Sequence, residues 1–211
     1  RYYHSVNLKP LTDTDFEISA EGTTVECRVM EMSTQTTFTE EGKIEVPIAL
    51  GLLDWEKRDV AMVAVFDRYT GTYRAYGFAR GACIKKGAVA TTYAHDHHNL
   101  LVLGHTAADM LKAANRVIEL QGGMVAVLDG EVKGEMHLPV AGILSDQPLK
   151  KVASDMKKFR TVIEEFGWEH HNPIMSLGTL SLPVSPALKI SDQGLIDVRA
   201  GKIVPLIINK N

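Results

Sequence analysis

The densest group of chemistry-bearing side chains is Ala94-His95-Asp96-His97-His98-Asn99, which sets three imidazoles, a carboxylate and an amide side by side. Neutral imidazole can ligate a metal or move a proton near neutral pH, and an adjacent carboxylate can orient a ring by accepting its N–H. In an extended conformation His95 and His97 project to one side and Asp96 and His98 to the other. Two imidazoles on one face would then share a metal ion, although no further ligand set accompanies them. The competing structural reading is a polar loop whose histidines hydrogen-bond backbone groups at a strand end.

Other catalytic signatures are missing. The chain has no His-Glu-x-x-His, Cys-x-x-Cys, phosphate-binding Walker loop or Gly-x-Ser-x-Gly elbow. The His-x-Glu with Pro-Cys-x-x-Cys of zinc nucleobase deaminases is also absent. His-x-His opens the metal site of amidohydrolase barrels, but too little of the 211-residue chain follows Asn99 to build a (β/α)₈ barrel of at least about 200 residues. His105, His137, His170 and His171 lack the strand-end rhythm such a barrel requires.

The elements that must position the cluster mix strands and helices without strict alternation. Val25, Cys27 and Val29 alternate with polar neighbours, Lys43 to Ile48 follows as a second strand, and Val60 to Phe66 is a nearly unbroken apolar run that needs cover on both faces. Asp67 to Thr72 makes a turn, and Tyr73 to Ala79 returns as a hairpin. Gly77, Gly81 and Gly87 mark bulges or close backbone approach. Val89 to Tyr93 and Leu100 to Leu103 flank the histidine cluster. Ala107 to Gln121 is a helix, capped by Thr106 and Asp109, ended by Gly122-Gly123 and buried along Met110, Ala114, Val117 and Leu120 or Gln121. Met124 to Leu128, Asp129-Gly130 and Glu131 to Met136 form a hairpin. A second helix runs from Leu149 to Phe166, buries Val152, Met156, Phe159, Ile163 and Phe166, stops at Gly167, and takes Asp146 as its N-cap. Pro173, Pro183 and Pro186 keep later elements short. Met110, Met156 and Phe159 read as core, and Arg68 as a solvated or interface charge. The expected fold is α+β (mixed α/β), with residues 1–22 a linker or arm and residues 23–211 the domain.

The net charge of −3 gives no basic footprint for nucleic acid, and no apolar run reaches the ~20 residues that cross a bilayer. Two cysteines, Cys27 and Cys83, are too few for a disulfide framework, which makes a reducing cytoplasm the expected compartment. The chain opens on Arg1 rather than Met, as a piece of a longer protein would.

A longer ordered set of residues resembles the C-terminal region of the adenine deaminase family. It begins with Gly77-Phe78, Gly81, Lys86-Gly87-Ala88, Ala90 and Ala94-His95-Asp96-x-His98-Asn99. It continues through Gly104, Asp109-Met110, Asn115, Gly122-Gly123 and Leu138-Pro139-Val140-Ala141-Gly142-Ile143-Leu144-Ser145-Asp146. It closes with Pro173-x-Met175, Leu180-x-Leu182-Pro183-Val184 and Asp192-x-Gly194-Leu195-x-Asp197-Val198.

The resemblance implies an enzyme that hydrolyses adenine to hypoxanthine and ammonia at a two-metal centre, manganese or iron, on an N-terminal amidohydrolase barrel outside this chain. The barrel and adenine would be its partners, a homo-oligomer the expected assembly, and this chain alone would be inactive. The family pattern carries Ser where this chain has His97, which weakens a metal role for the pair His95 and His97. His95, Asp96, His98 and Asn99 remain as the expected site residues, in a supporting or interface role, with no metal expected on this chain. The alternatives are a free-standing binding or assembly module, or an independent metal hydrolase centred on His95 to His98.

Overall fold

The computed structural model describes residues 2–208. The alternating segment from residue 24 and the polar-apolar segment after it become β1 (Thr24–Met32) and β2 (Thr39–Ala49), a long antiparallel pair, and β3 (Leu52–Leu53) closes that edge. The unbroken apolar run becomes β4 (Ala61–Phe66), all of whose residues are buried. β5 (Arg74–Gly81) returns beside it with Ala61 opposite Ala79. Then come β6 (Ala88–Thr91), β7 (Leu100–Gly104), α1 (Ala107–Leu120), β8 (Gly123–Leu128) and β9 (Glu131–His137). With β13 (Ile207–Ile208) paired to β1, these strands form a ten-stranded sheet in the order β3-β2-β1-β5-β4-β7-β6-β8-β9. β1 and β5 run parallel; the other neighbours in the sheet are antiparallel. The fold is α+β, as expected.

Why β4 is apolar throughout is visible in what covers it. Met62, Ala64 and Phe66 face a core shared with Met110, Ala114 and Val117 of α1. Ala61, Val63 and Val65 face the opposite core, shared with Phe159, Ile163 and Leu177. That second layer comprises α2 (Leu149–Glu165), α3 (Pro173–Gly178) and a small sheet of β10 (Leu188–Ser191), β11 (Gly194–Asp197) and β12 (Lys202–Val204). The prolines do keep this region to short elements. Residues 2–22, within the segment expected as a linker or arm, lie along the α1 layer, where Val6 and Phe16 are buried and Leu11 exchanges hydrogen bonds of 2.7 and 3.0 Å with the side chain of Asn115.

Both helix starts hold a lesson. Thr106 caps α1 by accepting from the Asp109 amide at 3.3 Å. Asp109 does not reach back to the cap; its carboxylate accepts from the Asp129 and Gly130 amides at 3.2 and 2.8 Å and ties α1 to the β8–β9 turn. Asp146, expected as the N-cap of α2, is not: Pro148 holds that position without a side-chain cap. Asp146 lies two residues too early, and its carboxylate accepts from the Gln147 side chain instead, at 3.0 Å. α1 ends at Gln121, which takes the left-handed φ of 60°, one residue before the expected Gly122-Gly123 stop, and no side chain fits at Gly122. A Cβ on Gly122 would meet Gly142 Cα at 2.4 Å, and both glycines have positive φ.

Candidate functional site

Strand register gathers three connections at one end of the sheet. Phe66 pairs with Leu100, which sets the Asp67–Thr72 turn beside the 92–99 segment. Thr91 pairs with Met124, and Thr92 Oγ1 donates to Gly142 O at 2.5 Å, which draws the 138–146 loop to the same place.

The 95–99 segment is a turn, not an extended strand end. His98 N donates to Ala94 O at 2.7 Å, and His98 takes the left-handed φ of 53°. The expected projection of His95 and His97 to one side is therefore overturned. His98 is the residue that meets His95, with ring centres 5.6 Å apart. Both rings lie against Tyr93, at 5.0 and 6.0 Å. His97 is engaged within the turn, where its Nδ1 accepts from the Asn99 amide at 3.0 Å. Asn99 is buried, and its Oδ1 accepts from the Arg68 amide at 3.2 Å. Asp96 is exposed, with its carboxylate 4.0 Å from His95 Nδ1.

The far end of α3 supports the turn. His95 N donates to Gly178 O at 3.0 Å, and Ser181 Oγ donates to His95 O at 3.1 Å. Gly178 allows the approach, because a Cβ there would stand 3.1 Å from Tyr93 O. Arg68, expected as a solvated or interface charge, is instead 2% exposed, with its guanidinium directed at backbone carbonyls and hydroxyls. Tyr69, Tyr93, Gly178 and Ser181 also belong to this end of the sheet, and no local pattern in the sequence singled them out.

Burial lowers the affinity of the His97 and His98 rings for a proton, and for His98 the neighbouring His95 and Arg68 act in the same direction. Both imidazoles are thus neutral at neutral pH, each able to donate from one nitrogen and accept at the other. Three ring nitrogens of the turn, His95 Nε2, His97 Nε2 and His98 Nδ1, are enclosed and have no partner among the described residues. The donor set does not suit a two-metal centre. Among the described residues no group of three or more His, Cys, Asp or Glu is placed to hold a metal ion. No helix among the described residues is long and apolar enough to cross a membrane.

This arrangement has relatives. The family profile for the adenine deaminase C-terminal domain matches residues 36–202. Adenine deaminase 2 of Shouchella clausii is 51% identical over 99% of this chain and 37% of its own length. An adenine deaminase of Clostridium perfringens is 44% identical over 98% of this chain and 37% of its own length. That of Moorella thermoacetica is 41% identical over 98% of this chain and 36% of its own. The chain spans little more than a third of the length of the curated relatives it matches. By sequence over nearly its whole length, the chain belongs to the adenine deaminase C-terminal domain family.

Proposed function

We propose that this chain serves the hydrolysis of adenine to hypoxanthine and ammonia as the accessory part of a larger enzyme. In this reading it packs against a barrel that carries the metal centre, manganese or iron, and offers the His95–Asn99 turn to the mouth of that barrel. The metal ions would make hydroxide available to attack the purine ring at the amino-bearing carbon. No step is assigned to a metal on this chain, whose described residues do not group three ligands for such a centre.

The observation that carries the reading is the convergence of the His95 and His98 imidazoles on one part-exposed turn, with ring centres 5.6 Å apart. His95 Nε2 and His98 Nδ1 have no partner among the described residues, so each ring has a nitrogen to offer once the turn meets another segment. An imidazole pair can hold a hydrogen bond to a purine edge or pass a proton towards departing ammonia. His95 and His98 suit this role best, since they converge. Asn99 is occupied in framing the turn, and Asp96 stands at its exposed rim. In the intact enzyme His98→Ala should lower turnover about a hundredfold, the low end of an acid–base contribution. Unchanged turnover with a lowered melting temperature would make the cluster a loop-fixing network only.

A further inference from the structure

Arg68 is among the largest fully buried side chains of the domain. An interior guanidinium keeps its charge and needs its donors filled. Here they are filled by neutral oxygens from three distant segments. Nη1 donates to Ser5 O at 2.8 Å and Ser5 Oγ at 2.9 Å, Nη2 to Ala141 O at 2.9 Å and Tyr69 Oη at 3.1 Å, and Nε to His98 O. The Tyr69 ring lies 4.5 Å from Cζ, and its hydroxyl donates to His97 O at 2.9 Å. With the Arg68 amide on Asn99 Oδ1, one dipeptide grips three successive residues of the histidine turn. The 138–146 loop closes directly over the guanidinium. A Cβ on Gly142, whose φ is +74°, would lie 2.7 Å from Nη1.

We propose that Arg68 and Tyr69 are positioning residues for the reaction: together they set the orientation of the His95–Asn99 turn and tie it to Ser5 of the arm. This rests on the reading of the turn given above. The left-handed backbone of His98 is sparsely populated by non-glycine residues, and the grip on its carbonyl holds it there. The fork is needed because Lys carries its three donors on a single nitrogen, which cannot span Ser5, Ala141 and His98 at once.

The test uses the full-length enzyme and compares Tyr69→Phe, Arg68→Lys and His98→Ala, alone and with Tyr69→Phe combined with His98→Ala. Tyr69→Phe keeps the ring over the guanidinium and removes only the hydroxyl. It should lower kcat about three- to tenfold, the worth of one hydrogen bond, while KM and the melting temperature stay near wild type. Arg68→Lys should lower kcat further; should it fail to fold, Tyr69→Phe decides. In the His98→Ala background, Tyr69→Phe should cost nothing more, because both changes act through one turn. The proposal is overturned if His98→Ala lowers kcat while folded Tyr69→Phe leaves it unchanged, or if the two losses multiply. Unchanged kcat in His98→Ala alone sinks the reading of the turn itself, a separate result on a separate variant.

Discussion

Burial keeps the imidazoles of His97, His98 and His170 below the usual histidine range, and this leaves a signature in stability. The unfolded chain takes up these protons near pH 6.5, whereas the folded chain does so only at lower pH. Their contribution is therefore present above about pH 6.5 and is lost as pH falls through that value towards the folded pKa. Chemical denaturation between pH 7.5 and 5 should show stability falling, with a shallower slope in His98→Gln; equal slopes would show that His98 does not carry the effect. Lys189 gives an independent case. Its ammonium is fully buried, donates to Thr37 O at 2.8 Å, and is pushed by burial down to about 8. Its depressed folded pKa makes wild type gain stability as pH rises from about 8 to about 10.5. Lys189→Met should accordingly be more stable at pH 7, by up to about 3 kcal/mol, with the gain gone near pH 11. A less stable Lys189→Met at pH 7 would show that the Thr37 contact outweighs the desolvation. Both Arg68 and Lys189 escaped the sequence reading for the same reason. What accepts from them comes from residues such as Ser5, Ala141 and Thr37, far away along the chain.

Among the elements, local patterns reported well wherever the cause was itself local. The double-faced run of β4, the alternation in β1, the span of α1 and the β8–β9 hairpin all follow from spacing and turn residues. Asp146 shows the limit: its type suits a cap, but the helix begins after Pro148, and only the backbone path decides that. The histidine turn shows it more sharply. Its composition marked the place, but alternation presumes an extended chain, and contacts from Arg68, Gly178 and Ser181 bend this one. Asp109 makes the corresponding energetic point. Thr106→Ala should cost about 1 kcal/mol, an ordinary cap. Asp109→Ala should cost about 2–4 kcal/mol, because it leaves the Asp129 and Gly130 amides without their charged acceptor. Urea unfolding of the two variants measures the order, and a larger loss in Thr106→Ala would show that the turn contact contributes little.

For the whole molecule, the sheet acts as a frame whose two covered faces leave one end to gather the 67–72, 92–99 and 138–146 connections. The sequence carried the existence of that frame and its family, because ordered motifs survive along nearly the whole chain. It did not carry which residues of the site meet, since that depends on three loops closing on one guanidinium. In the proposed reading, the paired imidazoles of this domain complete a site that another segment begins. The most direct measurement is adenine hydrolysis, followed as ammonia release with added manganese, on this chain alone and on the chain joined to the barrel that the proposed function assigns to it. The account predicts turnover in the joined protein only, reduced by His98→Ala. Turnover by the isolated chain would contradict it and make the His95–Asn99 turn a catalytic centre in its own right.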